Sequence, residues 1–592
     1  MTEYCFDSIL FSSNTRFIDL VTTNEGEDVS MKWDASYDVV VVGSGAAGLT
    51  AGLTAKLQGM KSLVIEKTEH YGGASAMSGG ALWIPNNHVI KGEGVPDTHN
   101  LARLYLDSTI GDRVPEALKE AYIKRGPEML RFLNNHTRHM RFQYAKGYSD
   151  YYPEKPGGLP QGRSIEPVIF DIKKMGSLAD TMRRSTLSSK GFTMNSYEFH
   201  KVNMVRRTTK GKTTALKLGM RLVKSKITGS QPVALGEALI ARLRLSLAEA
   251  NGELWISTAF KDFIVEKNRV TGIMVERDGQ EMRIEAKRGV VLSSGGFSHN
   301  QAYRENYLPA PTNAKWTSTP EGQTGDVIEP SVKIGATLDL MDKVWGAPSV
   351  IDPQGHPFFL VADRGVPNMM VVDGAGKRYL NEAAPYHEFV DKMYIHHQKT
   401  NNAIPSWILI DAKAKSRYIF TGLFPGQAFP KSWFDNGIVK SAQTIEELAG
   451  HMNVPPENLV ETVERFNAFA HNGRDEDFLR GDSAYDNYYG DPTLKNPNLA
   501  EVNNAPFYAL RLYPGDIGTK GGLVVDEHAR VVKADGSAIE GLYASGNCSA
   551  SIMGETYPGP GATLGPGMTL SYIATTHMAN TVNKEKSNLL KV

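Results

Sequence analysis

The run Asp38-Val39-Val40-Val41-Val42-Gly43-Ser44-Gly45-Ala46-Ala47-Gly48 constrains this chain more than any other feature. Four consecutive valines make a fully buried strand, and the glycines behind them require a sharp turn into a helix. The first glycine permits the turn, the second lets the backbone approach a pyrophosphate, and the third lets the helix lie close to the strand. The helix N-terminus, with its unpaired N–H groups and its dipole, then favours phosphate charge. A second strand, Ser62 to Glu66, follows the helix. Glu66 stands where an acid accepts hydrogen bonds from a ribose diol and disfavours a 2′-phosphate. A bare glycine turn is weak evidence for a nucleotide, but strand, helix, second strand and acid in order are specific.

The segment Lys67-Thr68-Glu69-His70-Tyr71-Gly72-Gly73-Ala74-Ser75-Ala76-Met77-Ser78-Gly79-Gly80 decides between nucleotides. A loop of small residues suits an extended FAD lying along it and does not start the helix of a nicotinamide dehydrogenase. No second nucleotide motif follows, which argues against NAD(P) as electron acceptor.

At 592 residues the chain exceeds what one core supports. Apolar strands recur at Leu254–Ser257, Val270–Arg277 and Gly289–Leu292, the last running into Ser293-Ser294-Gly295-Gly296. From about 346 to 516 the texture changes to loops rich in Pro, Asn and aromatics, with helical patterns at Ile445–Met452 and Pro456–His471. Strand language returns after 517, in LVVDEHARVV and Gly541-Leu542-Tyr543-Ala544-Ser545-Gly546-Asn547. The expected fold is α/β: a Rossmann-like FAD-binding domain, 36–345 and 517–592, interrupted by an α+β catalytic domain, 346–516, and preceded by an extension, 1–35.

Lys plus Arg and Asp plus Glu both number 65, so net charge gives no reason to expect a nucleic-acid partner. The two cysteines, Cys5 and Cys548, make no disulfide framework and have no metal-ligand spacing. With no signal peptide and no apolar run of about 20 residues, the expected location is the cytoplasm.

The fingerprint GSGAAG, the loop YGGASAMSGGALWIP, the strand end SSGGFS, QTGD at 323–326 and the return GLYASGN together resemble the FAD-binding domain of the fumarate reductase and succinate dehydrogenase flavoproteins. Within that superfamily, GKRYLNEAAPYHEF, IGTKGGLVVD and YPGPGATLG resemble the 3-ketosteroid Δ1-dehydrogenases. The resemblance implies that the catalytic domain covers the flavin and that a C1–C2 double bond is introduced into a 3-ketosteroid. Carried over by position, Tyr386 is the base at C2, Tyr557 and the Gly561 N–H hold the 3-keto oxygen, and Tyr151 supports the base. FAD is expected against Gly43, Ser44, Gly45, Ala46, Ala47, Gly48, Glu66 and Lys67. Its contacts continue through Gly73, Ala74, Ser75, Ser78, Gly79 and Gly80, then Phe260, Gly295, Asp326, Gly546, Asn547 and Leu564.

These roles make chemical sense. A hydrogen alpha to a ketone becomes removable when a phenol OH and a backbone N–H stabilise the developing enolate oxygen. A phenol of reference pKa about 10 is a poor base at neutral pH and needs help, for which Tyr151 is preferred. Tyr152 competes for that role, while His387, adjacent to Tyr386 in what reads as an extended segment, should point away. His299 reads as a loop stabiliser. A Δ4-(5α)-dehydrogenase and a fumarate reductase-like enzyme remain alternatives, although the arginine and histidine grip of the latter has no counterpart here.

Residues 173–226 depart most from the steroid dehydrogenase pattern, with fourteen basic residues, Lys190 among them, facing Asp180 and Glu198. In KTTALKLGMRLVKSK, Leu216, Met220 and Val223 share one helical face, and Lys217, Arg221 and Lys224 share the neighbouring one. Such a segment, 173–228, lies readily on an anionic membrane. The expected partners are thus a steroid, an unidentified electron acceptor and a peripheral membrane contact.

Overall fold

The computed structural model describes residues 32–185 and 193–589. Cys5, Lys190 and the extension up to residue 31 lie outside the described residues. The first sheet is built around strand Ala35–Val42, whose residues 39–41 are wholly buried. It pairs in parallel with Ser62–Ile65 on one side and with Gln280–Leu292 on the other. Glu253–Trp255 extends the sheet beyond Ser62–Ile65, and Ala538–Ala544 runs parallel to the end of Gln280–Leu292. Returning the C-terminal segment to the first sheet in this way makes the chain discontinuous around the material between. An antiparallel meander, Thr258–Glu266, Arg269–Arg277 and Gln280–Leu292, completes the sheet. The last of these strands is longer than its buried end, Gly289–Leu292, because its first half alternates exposed and buried residues.

Helix Ala46–Leu57 packs close to the sheet because its inner face is made of small residues: a Cβ on Gly52 would come within 2.5 Å of Val64. The long C-terminal helix, Leu564–Leu589, lies against it, with Gly567 beside Ala47 and Gly546.

The second sheet has six strands and is antiparallel, in the order Pro357–Phe359, Val344–Ile351, Phe507–Thr519, Ser406–Ile410 and Met369–Val372, with Val439–Ala442 also on Phe507–Thr519. Side chains alternate across it. Met369 and Val371 face one apolar cluster with Ile408 and Leu510. Met370 and Val372 face another, closed by Leu448, Leu459 and Phe466 of helices Ile445–Met452 and Pro456–Asn472. With both faces covered, the sheet is a rigid support. Helix Tyr386–Thr400 lies on its first long strand, and Gly346 is what permits the approach, since a Cβ there would be 2.6 Å from Val390.

A buried ionic cluster fixes the segment leading into that helix. Arg378 donates to Glu382 and Asp475, and Arg480 also reaches Glu382, whose carboxylate accepts in addition from the Val371 N–H. Burial alone would raise the Glu382 carboxyl, but the two guanidiniums prevail and bring it down to about 2. A carboxyl depressed on folding contributes stability above its unfolded value, and that stability is lost as pH falls from about 4.5 towards 2. The contribution is about 3 kcal/mol. Thermal unfolding of Glu382→Gln should therefore start lower than wild type at pH 7 and fall less steeply between pH 5 and pH 3. Parallel curves for the two proteins would contradict this.

Candidate active site

The glycine turn has one closed side and one open side. Gly43 has φ +104°, and a Cβ there would meet Ser293 O at 2.4 Å; on Gly48 a Cβ would strike Gly43 O at 1.9 Å. At Gly45 the nearest atom would be Ser75 Oγ at 3.3 Å, at Gly73 it would be Gly45 Cα at 3.9 Å, and at Gly79 nothing lies within 4 Å. The turn is thus locked against the sheet and bare towards the outside, which is the shape a pyrophosphate needs. Helix Ala46–Leu57 begins with no side-chain cap on Gly45 and no acid in its first turn; among the described residues only Ser75 Oγ accepts there, from the Ala46 N–H at 3.1 Å.

Glu66 receives Ser44 Oγ at 2.5 Å on one oxygen and the Thr68 N–H and hydroxyl on the other, so its position behind the strand is fixed. Ser44 in turn accepts the Gly72 N–H, tying the turn to helix Gly73–Met77, which contains Ala74. Ser78 caps that unit, donating to Ser75 O and accepting from the Gly80 N–H. Lys67 and Asp326 sit at the rim and pair with each other at 2.5 Å. Phe260 packs on Phe263, and Gly295 closes on Gln323. At the far end, Gly546 and Asn547 share a cleft with Trp345, Lys520, Ala562 and Thr563, just before Leu564 opens the C-terminal helix. The open backbone strip, the fixed acid and this cleft fit an extended dinucleotide.

Beyond the cleft, tyrosines from three distant segments meet. The ring centroids of Tyr386 and Tyr557 are 5.5 Å apart, those of Tyr151 and Tyr386 5.5 Å, and those of Tyr151 and Tyr557 5.0 Å, all edge to face. Trp345, Phe359 and Tyr485 complete the shell. Each of the three tyrosines has a local cause for its position. Pro385 precedes the helix that Tyr386 opens, and Arg364 donates to the carbonyls of Glu382 and Ala384 just before it. Asp150 is held by Arg163 and by Trp83 Nε1, and the Tyr151 N–H donates to Pro558 O at 2.9 Å.

The loop Tyr557-Pro558-Gly559-Pro560-Gly561 is gripped at every carbonyl the prolines expose. Tyr105 Oη donates to Pro558 O and Ser164 Oγ to Pro560 O, both at 2.7 Å. Trp83 fills the space beside Gly559. Gly561 has φ +93°, with Ala81 O only 2.2 Å from where a Cβ would be, so only glycine fits.

Burial, then the neighbouring phenols of Tyr557, Tyr148 and Tyr485, holds Tyr386 well above the usual phenol range, and the Tyr151 hydroxyl eases it downwards. Tyr151 Oη itself makes no hydrogen bond of normal geometry. Burial also raises Tyr557, against stabilisation by Tyr386, Thr563 and the Gly561 N–H. The Gly561 N–H thus lies on the side of the Tyr557 hydroxyl, and burial keeps that hydroxyl protonated at neutral pH.

Two expectations change. The segment at Tyr386 is the first turn of a helix and not extended, so His387 does not leave the cluster: it is buried, 5.8 Å from the Tyr557 ring, and accepts or donates at 3.0 Å with Tyr152 Oη. Tyr152 is thereby occupied by His387, leaving Tyr151 beside Tyr386. His299 does stabilise a loop, through Thr319 O at 2.7 Å. Trp345, Arg364, Tyr485 and Lys520 were not singled out by sequence; only the glycine-rich setting of Lys520 hints at a close-packed site.

The basic segment also differs from a free cationic face. Arg184 pairs with Glu237 and Arg207 with Asp491, which fastens it to the body, while Arg221 pairs with Glu198 within the segment itself. What remains exposed on helix Thr209–Thr228 is Leu216, Met220, Val223 and Ile227, flanked by Lys210, Lys212, Lys217, Lys224 and Lys226.

A nucleotide cleft ending at a closed cluster of phenols defines a flavin-dependent oxidoreductase. Residues 38–564 match the model of the FAD binding domain family. The chain is 45% identical over 562 residues to 3-oxosteroid 1-dehydrogenase of Mycobacterium tuberculosis, covering 93% of this chain and 99% of that one. It is 35% identical to 4-oxocyclohexanecarboxylate 2-dehydrogenase of Sinomonas cyclohexanicum, covering 91% and 92%. The crystal structure of 3-ketosteroid Δ1-dehydrogenase from Sterolibacterium denitrificans in complex with 1,4-androstadiene-3,17-dione superposes with TM-score 0.88 at 40% identity, covering 92% of this chain and 100% of that one. The chain belongs to the FAD-binding flavoprotein family and, within it, to the 3-oxosteroid 1-dehydrogenases.

Proposed function

We propose that this protein desaturates 3-ketosteroids between C1 and C2, and the observation that carries the reading is the edge-to-face meeting of the buried Tyr386, Tyr557 and Tyr151 beside the loop that ends at Gly561. The residues for FAD are those of the open glycine strip, Glu66 and the Gly546–Leu564 cleft. Bound there, FAD supplies the acceptor for the hydride that leaves C1.

The chain's own residues manage the proton. The Tyr557 hydroxyl and the Gly561 N–H bind the 3-keto oxygen and hold the charge that develops on it, which makes the C2 hydrogen acidic. Tyr386 takes that proton as its phenolate and becomes the phenol, and Tyr151, whose hydroxyl favours the ionised form of Tyr386, helps supply that form. The aromatic shell excludes water, and the C1–C2 double bond forms as both hydrogens leave.

A ketone fits this site better than a carboxylate. The buried cations nearest the tyrosines, Arg364 and Lys520, both point at backbone carbonyls, so neither is free to grip an acid. With androst-4-ene-3,17-dione and an artificial electron acceptor, the product should be two hydrogens lighter, with a 1,4-diene by NMR. Tyr386→Phe should bind FAD normally and turn over about 10²- to 10⁴-fold more slowly. An untouched steroid, as a Δ4 enzyme would leave it, or an unimpaired Tyr386→Phe, would contradict the reading.

The same reading gives the protein a cytoplasmic, membrane-docked location. The exposed apolar row at 216, 220, 223 and 227 has the spacing of a coiled-coil seam, but its flanks are lysine on both sides. Two copies would repel, whereas an anionic bilayer meets both the apolar row and the lysines. Steroids partition into membranes, so docking shortens the substrate's route. Wild type should sediment with phosphatidylglycerol vesicles and weakly with phosphatidylcholine vesicles. A variant with serine at all four apolar positions should stay in solution; equal sedimentation would contradict membrane docking.

A further inference from the structure

Lys520 is 2% exposed and, among the described residues, forms no ion pair. Its ammonium donates to Glu555 O at 2.6 Å and to Thr556 O at 3.0 Å, and lies 4.7 Å from the Trp345 ring centroid. Those carbonyls belong to the two residues immediately before Tyr557. Trp345 in turn packs edge-on to Tyr557 at 4.8 Å and donates to Asn547 Oδ1 at 3.3 Å. The backbone of Lys520 is itself anchored, its N–H on Lys343 O and its carbonyl accepting from the Ser551 N–H. One side chain therefore joins the second sheet to the loop that presents Tyr557, inside the cleft shared by Gly546, Asn547 and Thr563.

A buried ammonium without a carboxylate is costly to maintain, and loop anchoring alone does not require a charge. A neutral donor would hold two carbonyls without that desolvation. Burial lowers the Lys520 ammonium to about 8, with Asp391 and Glu555 supporting the charge and Lys343 opposing it. His387, on the opposing helix, is kept neutral by its own burial and by Lys520 and Arg364. The ammonium thus keeps its proton at neutral pH while neighbouring His387 does not take one up.

We propose that Lys520 is a positioning residue that also acts electrostatically, pinning the Tyr557 loop and setting a positive charge beside the flavin cleft that favours the electron-rich, reduced flavin. The proposal rests on the FAD assignment and on the cleft, but not on which ketone is oxidised. Two electrons and one proton arriving at the flavin leave negative charge on the ring system, and a buried cation lining the cleft would stabilise that product over the neutral oxidised form.

The test is the midpoint potential of the bound flavin, measured by dye-coupled reduction without steroid, so that it stands whether or not the steroid reading does. Lys520→Met, with FAD content verified, should have a lower potential than wild type, and Lys520→Arg should restore most of the difference. Steroid turnover of Lys520→Met should fall more than tenfold. A purely structural role would weaken FAD retention or steroid affinity in both variants and leave the potential in place, and that result would overturn the proposal. Should Lys520→Met not fold, the wild type answers alone: its potential should fall more steeply with pH above about 8, where Lys520 loses its proton, than between pH 6 and 7. One unchanged slope from pH 6 to 9 would overturn it.

Discussion

Everything chemical in this molecule depends on the backbone of Tyr557–Gly561 being held immobile. Two prolines restrict it, Tyr105, Tyr151 and Ser164 hold its carbonyls, and Gly561 adopts a conformation that a side chain would forbid. Three residues later the chain enters the C-terminal helix at Leu564, beside Gly546 and Ala47. The same few residues therefore connect Tyr557 with the glycine turn. A shift of one ångström here would move Tyr557 and Gly561 relative to Tyr386.

The second sheet serves that loop. Its two covered faces make it stiff, Gly346 seats the helix that starts at Tyr386, and the Glu382 cluster with Arg364 fixes the turn before it. Tyr386 and Tyr557 thus approach from different layers, and their separation is set by packing between layers rather than by the flexibility of a loop. Charge near the site is similarly anchored, with buried Arg364 and Lys520 directed at carbonyls.

The glycine turn was legible in the sequence because the constraint is one of backbone: no other residue tolerates the contacts at Gly43 and Gly48. Helix Ile445–Met452 was legible for its periodicity and agrees residue for residue. The tyrosine set was legible only through resemblance, since nothing local distinguishes Tyr386 or Tyr557 among 24 tyrosines. What pattern reading missed were consequences of tertiary packing. The helix at Tyr386 starts from a proline in an irregular stretch and shows no periodicity before it, so His387 was expected on the wrong side. Lys520 was not singled out by sequence, because its burial comes from the loop carrying Tyr557 folding over it. The apolar row on helix Thr209–Thr228 was visible, but its extension to Ile227 and the pairing of Arg221 with Glu198 were not.

The central claim is that enclosed phenols and a backbone N–H make a ring ketone's neighbouring hydrogen removable while the flavin stands ready for the hydride. Anaerobic mixing of the purified, FAD-loaded protein with a 3-keto-4-ene steroid tests it most directly. The account predicts that the oxidised flavin band bleaches in a single turnover in wild type, and that with Tyr557→Phe it bleaches at least about 10²-fold more slowly. A flavin that stays oxidised in wild type, or bleaches equally fast without the Tyr557 hydroxyl, would contradict it.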